Sequence, residues 1–378
     1  IFTHKINIIM PGYELIGEKE KKAVLKVFQE GGVLFAHAFE NLRKKFHIRE
    51  FEKECQKSFK VKYCLAVSSG TAALKILLKS MGVKKDDEVI TQGFNFIATI
   101  EAILDLGAKP IIANVDNSLN MDINEIEKLI SKKTKVIIPV HMLGVSANIK
   151  GIKKIIGKRK IKILEDNCEA IGAKYKNKYL GTVCDAGAFS FDFGKMITTG
   201  EGGAILTNNR NIAIKCKELR DHGMDHKRKY YHTRLGYNYR MTNMQAAIGL
   251  GQIENLNKIL KLRNKQMNYY YKLLENNKNI KLRKFYNWCT PVHWLMTITL
   301  NDNYDRDNFI IYMKNKGIDC RQMINPVNQA KHFIEYYGNK LYKKSEIISK
   351  KSLHLPSSSN LKIDQINKIC KLVNNYFK

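Results

Sequence analysis

The chain has 378 residues, of which 44% are hydrophobic and 10% aromatic, and this is enough apolar material for a packed protein of two domains rather than a disordered one. Its longest apolar runs are far shorter than the roughly 20 residues of a membrane helix, and its first residues lack the apolar core and cleavage site of a signal peptide, so we expect a cytoplasmic protein that does not associate with membranes. The formal net charge of +30 comes with lysines spread along the whole chain, which favours a basic solvated surface over a nucleic-acid-binding patch.

The eight cysteines are scattered, with no C-x-x-C pair and no Cys/His cluster at zinc spacing. This pattern is typical of reduced, structural thiols. His222 and His226 have the i, i+4 spacing of a metal pair on a helix, but Gly223 interrupts the helical pattern and no third ligand is evident. We therefore predict a loop on the substrate side and no metal site. Met10 is one candidate for the natural start of the protein.

From about residue 60 to residue 210, short apolar runs alternate with stretches of helical pattern. The predicted strands are Tyr63–Val67, Glu88–Thr91, Lys109–Ala113, Val136–Pro139, Lys162–Glu165, Ala186–Phe191 and Ala204–Thr207. The predicted helices between them include Thr71–Met81, Phe96–Leu106 and Ile123–Ser131. This repetition of strand and helix predicts an α/β fold with a largely parallel sheet. Ligands bind such sheets at the carboxyl ends of the strands.

The pattern changes after Asn238. We predict a long helix over residues 243–277, a strand at Trp294–Leu300 and helices near Asp307–Lys316 and Ile363–Phe377. These elements indicate a smaller α+β domain. The predicted division is an N-terminal segment and large domain over residues 1–250, and a small C-terminal domain over residues 251–378.

The segment SSGTAAL, Ser68 to Leu74, follows a predicted strand and opens a helix. Gly70 and Thr71 would place free backbone N–H groups and a hydroxyl at the positive end of that helix, an arrangement that binds phosphate. Taken on its own, this segment is better explained as a tight strand-to-helix turn with a capping serine or threonine.

A carboxylate ends another apolar run, in LEDNCEAIGA from Leu164 to Ala173. Asp166 lies at the carboxyl end of the predicted strand, where its side chain would point into the ligand cleft. The alternative is that Glu165 and Asp166 cap a following helix.

The segment DAGAFSFDFGKMITTGEGGAILTN, Asp185 to Asn208, carries the strongest chemical pattern. A strand reaches Ser190, and Lys195 follows between Phe193 and Met196, ahead of a glycine-rich turn. A lysine held in such an apolar, crowded place can form a Schiff base with a carbonyl compound. The hydroxyl of Ser190 is placed to bind a phosphate group.

Four segments together, SSGTAAL, ED-x-x-E-A-x-G, SF-x-x-x-K-x-x-T-T-GEGG and GYNYRMTNMQAAIG, resemble the DegT/DnrJ/EryC1/StrS family of sugar aminotransferases. The resemblance runs from GYELIG near the start to SLHLPSS at Ser352–Ser358. It implies the α/β fold of fold-type I aminotransferases that depend on pyridoxal 5'-phosphate (PLP), with a mixed, mostly parallel sheet in the large domain and a smaller α+β C-terminal domain.

The resemblance also implies how the chain holds PLP. Lys195 would form the Schiff base with the cofactor and then move the proton between cofactor and sugar. Asp166 would pair with the pyridinium nitrogen, which lets the ring act as an electron sink. The phosphate would be held by Gly70, Thr71 and Ser190.

Three further cofactor contacts follow from the same resemblance. Phe96, in GFNFIAT, would stack on one face of the ring. Glu169 would lie near the ring hydroxyl, where many members carry Gln, and a carboxylate there is repelled by a phenolate-like oxygen unless one of them holds a proton. Asn238 would reach the phosphate of the neighbouring subunit's cofactor, which implies a homodimer with shared active sites.

The candidate substrate contacts lie in three segments that are aromatic or basic. They are Phe35, His37 and Arg43 in FAHAFENLRKKFHIREFE, Arg228 and Tyr231 in DHGMDHKRKYYH, and Arg321 in CRQMINPV. Related chains often have Pro after this last arginine, where Gln322 stands here. Ordinary packing of the first segment and an ordinary basic loop in the second remain open alternatives.

The implied reaction takes nitrogen from L-glutamate, leaving pyridoxamine phosphate and 2-oxoglutarate, and passes it to a keto sugar for a surface polysaccharide. GYNYRMTNMQAAIG and Glu169 resemble the perosamine-synthase branch, which aminates C4 of a nucleotide-linked 4-keto-6-deoxy sugar. MPGYELIG and LRKKFHIREFE resemble instead the transaminase that makes 8-amino-3,8-dideoxy-octulosonate from a free acidic sugar. We favour the nucleotide-linked sugar.

Two other classes of protein share this scaffold. A PLP-dependent sugar 3-dehydratase carries His in place of the Schiff-base lysine, so the presence of Lys195 disfavours it. A non-catalytic regulator or nucleic-acid binder has only the charge of +30 in its support.

Overall fold

The computed structural model describes residues 13–30, 46–225, 227–228, 230–338 and 342–378. The helices are α1 (Glu18–Gln29), α2 (His47–Phe59), α3 (Gly70–Ser80), α4 (Ala98–Leu104), α5 (Ile123–Leu129), α6 (Ile149–Ile156), α7 (Arg210–Arg220), α8 (Asn243–Leu274), α9 (Arg306–Asn315), α10 (Lys331–Tyr337), α11 (Lys343–Lys351) and α12 (Ile363–Tyr376). The strands are β1 (Tyr63–Val67), β2 (Glu88–Gln92), β3 (Lys109–Ala113), β4 (Thr134–Ile137), β5 (Lys162–Asp166), β6 (Lys174–Tyr175), β7 (Lys178–Tyr179), β8 (Ala186–Ser190), β9 (Gly203–Thr207), β10 (Ile280–Leu282), β11 (Cys289–Thr290), β12 (Met296–Leu300), β13 (Arg321–Gln322) and β14 (Ser352–Leu355). No helix in these ranges is long and apolar enough to cross a membrane.

Seven strands form the main sheet, in the order β1-β9-β8-β5-β4-β2-β3. The pairs from β8 to β3 are parallel, whereas β9 runs antiparallel to both of its neighbours, β1 and β8. Strands β8 and β9 are consecutive in the chain, and an antiparallel pair needs no helical crossover between its strands. The predicted α/β fold with a mixed, mostly parallel sheet is therefore confirmed.

The strands of this sheet are buried because helices cover both of its faces. Strand β9 is buried along its whole length, and in β8 every residue but Ser190 is buried. Helix α3 packs against α4 and α7 on one side of the sheet. On the other side, α2 packs against the first half of α8.

A second sheet of four antiparallel strands, β10-β12-β14-β13, lies in the last third of the chain. Its apolar residues form one core with the second half of α8, α9 and α12. Helix α8 has 32 residues and is long enough to reach the cores beside both sheets. The predicted division at residue 250 falls inside this helix, and that division stays a prediction.

Two elements begin later than the sequence pattern predicts. Helix α4 begins at Ala98 rather than Phe96, and β12 begins at Met296 rather than Trp294. In both cases the aromatic residue lies in the loop before the element. Both loops face the same cavity, which explains why an apolar residue stands there without belonging to the regular structure.

Candidate active site

A cavity of about 400 Å³ lies at the carboxyl ends of the main-sheet strands. Its walls come from the segments that follow β1, β2, β4, β5 and β8, together with residues next to β12, β13 and β14. The residues that both line it and were predicted as site residues are Gly70, Thr71, Phe96, Asp166, Glu169, Ser190, Lys195 and Arg321. The cavity therefore lies at the carboxyl ends of the strands, where ligands bind parallel sheets.

Asp166 is the last residue of β5 and is only 4% exposed. Its Oδ2 accepts a hydrogen bond from the Thr99 hydroxyl at 2.7 Å, and its Oδ1 accepts one from the Cys168 N–H at 3.2 Å. Two neutral donors thus orient the carboxylate, which leaves its negative charge available to a ligand. No helix follows β5 directly in the described chain, so the alternative role as a helix cap is wrong.

Glu165 points away from the cavity because side chains alternate across a strand. Its carboxylate accepts the backbone N–H groups of Gly181, Val183 and Cys184 and pairs with the buried His141 at 3.1 Å. Glu165 therefore has a structural task, and of these two neighbours only Asp166 lines the cavity.

The amino end of α3 also lines the cavity. Ser69 caps the helix, its hydroxyl accepting the Ala72 N–H at 3.1 Å. Gly70 lies so close to the end of β8 that a Cβ there would be 2.9 Å from both the Ser190 Cβ and the Cys168 Sγ. The helix end and the Ser190 hydroxyl thus face one place, and this is the combination that binds phosphate.

Lys195 lies in the loop between β8 and β9 and its backbone N–H donates to the Asp192 carbonyl at 3.0 Å. Its Nζ is 4.3 Å from the centre of the Trp294 ring, over the ring face. The indole N–H of Trp294 donates to the carbonyl of Gly194 at 2.8 Å. The lysine is half-buried and its side chain reaches the cavity, as the pattern around it predicted.

Glu169 lies between the lysine and a strained turn. Its Oε2 accepts the N–H of Leu143 at 2.8 Å, and Leu143 has a left-handed backbone with φ of 50°. Burial raises the pKa of Glu169 above its ordinary value, although the charges of Lys195 and Arg283 act against that rise. The direction of this shift favours a protonated carboxyl, the condition under which it tolerates a neighbouring phenolate-like oxygen.

Phe96 and Arg321 are the remaining predicted residues that reach the cavity. Phe96 is 59% exposed, an unusual position for a large aromatic side chain. Arg321 lies on the short edge strand β13, paired in register with His354 of β14.

Several predicted residues do not line the cavity. Asn238 is exposed and forms an isolated backbone bridge with Asp221. Arg228 is also exposed, and its guanidinium lies 4.4 Å above the ring of Tyr231. The other three predicted substrate contacts lie outside the described residues: Phe35, His37 and Arg43. The roles of all six stay predictions.

His222 lies in a turn with φ of 56°, not on a helix, and His226 lies outside the described residues. In the ranges that the structure describes, no three His, Cys, Asp or Glu side chains form a group able to hold a metal ion.

Three residues that shape the cavity were not predicted from the sequence. Thr99 orients Asp166, and Trp294 contacts Lys195. His354 bonds to Thr297 at 2.9 Å, and burial together with the charges of Arg321 and Arg283 lowers its pKa to about 3, so it is neutral near pH 7. No local motif marks these residues, because folding brings each from a different part of the chain.

The chain matches the DegT/DnrJ/EryC1/StrS aminotransferase family over residues 30–374. It is 32% identical to the GDP-perosamine synthase of Vibrio cholerae, covering 88% of this chain and 91% of that protein. It is 34% identical to the GDP-perosamine synthase of Caulobacter vibrioides, covering 85% of this chain and 88% of that protein. Its structure resembles PseC of Helicobacter pylori, an aminotransferase involved in the biosynthesis of pseudoaminic acid, with a TM-score of 0.90, 26% identity and 99% of each chain covered. The chain therefore belongs to the DegT/DnrJ/EryC1/StrS aminotransferase family.

Proposed function

We propose that this protein is a PLP-dependent aminotransferase that moves the amino group of L-glutamate to a keto sugar, most favourably a nucleotide-linked 4-keto-6-deoxy sugar. One observation carries the proposal. A lysine, a buried carboxylate and a helix end with a serine hydroxyl meet in one cavity, in a chain of an aminotransferase family.

The cavity residues fit PLP in their chemistry. The amino end of α3 and the Ser190 hydroxyl suit a phosphate. The space between them stays open because Gly70 has no Cβ, which would lie too close to Ser190. Asp166 suits a protonated ring nitrogen. The exposed ring of Phe96 suits stacking on a flat ligand. When bound, PLP supplies an electron sink for the carbon that loses or gains the amino group.

Lys195 has two tasks in this proposal. Its Nζ would hold the cofactor covalently, and its amine would move the proton between the cofactor and the carbon that loses or gains the amino group. Proton transfer requires the amine to remain within hydrogen-bond reach of that carbon. Thr99 and the Cys168 N–H keep the Asp166 carboxylate oriented. Glu169, whose pKa is raised by burial, lines the same cavity.

We also propose a homodimer in which each subunit completes the other's site. The supporting feature is a segment that is exposed and contains large apolar side chains, with Tyr230 and Leu235 each 77% exposed. Asn238 follows in the same segment. Several large apolar side chains left exposed in one short segment suit an interaction site. In this arrangement Asn238 binds the phosphate of the partner's cofactor.

The choice of sugar rests on the relatives. Two relatives that match most of this chain are named GDP-perosamine synthase, which favours a GDP-linked keto sugar. Arg321, on the cavity wall, would pair with an acidic group of the substrate. An oxidised 3-deoxy-octulosonate also carries an acidic group, so it is the alternative acceptor.

The test is an assay with the purified protein, PLP, L-glutamate and one acceptor at a time. With a GDP-linked 4-keto-6-deoxy hexose we expect 2-oxoglutarate and an amino sugar of the corresponding mass. Amination of the oxidised octulosonate alone would contradict the nucleotide-linked acceptor while retaining the aminotransferase. Formation of no 2-oxoglutarate with either acceptor would favour a non-catalytic role instead.

A further inference from the structure

We propose that Trp294 is a positioning residue for Lys195, holding its amine over the indole face inside the cavity. The inference rests on the proposed function for its purpose, but its geometry stands without it. Lys195 Nζ lies 4.3 Å from the ring centre, well inside the range of about 6 Å in which a cation is attracted to an aromatic face.

The indole is fixed from several directions and is only 7% exposed. Its Nε1–H donates to Gly194, the residue next to the lysine, at 2.8 Å. The backbone N–H of Trp294 donates to the carbonyl of Val292 at 3.0 Å. Its carbonyl oxygen accepts a hydrogen bond of 2.8 Å from Arg263, whose side chain is fully buried in α8. A ring held this firmly can define the position of a flexible lysine.

The neighbours of Lys195 explain why an aromatic face suits this place. Asp166 and Glu169 line the same cavity, and the positive charge of Lys195 acts on Glu169. A long, flexible lysine stem permits an ion pair with either carboxylate. Such a pair would draw the amine toward the carboxylate and away from the reacting carbon. The indole face attracts the amine without offering a proton acceptor that competes for it.

Trp294 also links the lysine to the second sheet. It lies two residues before β12, and Arg263 donates to the carbonyl of His293 at 3.0 Å as well. The position of the Lys195 amine therefore depends on the packing of the C-terminal elements against the main sheet. This dependence gives the C-terminal third of the chain a direct part in the chemistry.

The experiment compares Trp294→Leu with Trp294→Phe, which keeps an aromatic face but loses the indole N–H. Trp288→Phe is the matched control, because Trp288 is the other tryptophan of the chain and stacks on Tyr286 instead, with ring centres 4.2 Å apart. The first readout is the rate at which acetic anhydride labels Lys195 in the full chain without PLP, measured by mass spectrometry. We expect labelling about threefold or more faster in Trp294→Leu, the size of effect expected from losing a cation–π contact. The labelling rate of Trp294→Phe should lie closer to that of the parent protein, and the labelling rate of Trp288→Phe should equal that of the parent.

The second readout uses the PLP-loaded protein and a single turnover with L-glutamate. In Trp294→Leu we expect a single-turnover rate about tenfold lower than that of the parent and a larger isotope effect with α-deuterated glutamate. The dissociation constant of PLP, measured by dialysis, should stay within about threefold of the parent value. Equal Lys195 labelling in all variants would overturn the inference. So would a parallel loss of PLP binding and melting temperature in Trp294→Leu, since that marks a purely structural role. If the parent protein shows no reaction with glutamate, the proposed function fails while the labelling still decides the role of Trp294.

Discussion

At the scale of single residues, Asp166 and Glu165 are neighbours in the sequence with separate tasks. Asp166 faces the cavity, and Glu165 binds three backbone N–H groups behind it. The sequence alone predicted the position of Asp166, because a carboxylate directly after an apolar run marks a strand end. It did not predict Thr99 as its partner, since that contact joins residues 67 apart in the chain.

We expect Asp166→Asn to lower the rate of the glutamate half-reaction by about a hundredfold or more, the effect of removing one oriented charge from a water-poor site. The amide keeps the shape of the side chain, so the melting temperature should change little. Asp185→Asn is the control, because that carboxylate accepts the Ile163 N–H near the opposite end of the same strands. A single-turnover rate of Asp166→Asn within a few-fold of the parent would contradict the role of Asp166.

Glu169 gives a prediction about pH. Because burial raises its pKa in the folded protein, the folded state binds this proton more tightly than the unfolded state does. Its contribution to stability is complete below the ordinary glutamate pKa of about 4 and is lost as the pH rises through the raised value. Glu169→Gln cannot ionise, so it should melt at a higher temperature than the parent near pH 7, with the difference disappearing below about pH 4.

Thermal melting between pH 4 and pH 8 measures this difference, and the exposed Glu127→Gln serves as the control. A Glu169→Gln variant that is less stable than the parent at pH 7 would show that the carboxylate is held in its charged form.

At the scale of elements, α3 combines two properties that a test can separate. Ser69 caps the helix through the Ala72 N–H, and it also lines the cavity. Asp305 caps α9 in the same way through the Asn308 N–H at 2.8 Å, and it does not line the cavity. Ser69→Ala and Asp305→Ala should each cost about 1 kcal/mol of folding free energy.

Of these two variants, Ser69→Ala alone should weaken PLP binding, by about threefold or more, because α3 presents its amino end to the site and α9 does not. Denaturation in urea measures the first effect and equilibrium dialysis the second. Equal PLP affinity in the two variants would contradict phosphate binding at α3.

The elements themselves were largely predictable. Strands β1 and β3 have the predicted bounds, because short β-branched and apolar runs ended by turns are typical of buried strands. The starts of α4 and β12 were not predicted correctly, because the aromatic residues before them extend the apolar pattern beyond the regular structure. Those two loops supply Phe96 and Trp294 to the cavity, so the errors fall where the site is built.

At the scale of the whole molecule, we propose the division into residues 1–250 and 251–378 although α8 crosses it. The 32 residues of α8 pack against α2 in the first half and against α12 in the second. A helix shared by two cores is not visible in a sequence pattern, because the pattern gives the buried face but not its partner. The basic surface implied by the charge of +30 suits an anionic sugar nucleotide as its ligand.

The proposed dimer predicts that Leu235→Asp raises the dissociation constant of the dimer roughly thirtyfold or more, the effect of losing an interface contact worth about 2 kcal/mol. Ile311→Asp, on α9, is the control, since Ile311 is likewise exposed, at 55%, but lies far along the chain from the Asn238 segment. Analytical ultracentrifugation with and without PLP measures the dimer dissociation constant of each variant. If Leu235→Asp dimerises as the parent does, the interface lies elsewhere on the surface.

The proposed activity requires that Lys195 binds PLP and that the bound cofactor accepts nitrogen from L-glutamate. The most direct measurement is the absorbance spectrum of the PLP-loaded protein, before and after L-glutamate, for the parent and for Lys195→Ala. We predict a visible band in the parent that shifts toward the ultraviolet with glutamate, and loss of both the lysine-linked band and the turnover in Lys195→Ala. A parent protein without a visible band after addition of PLP, or a Lys195→Ala variant that retains the band and the response to glutamate, would contradict the account.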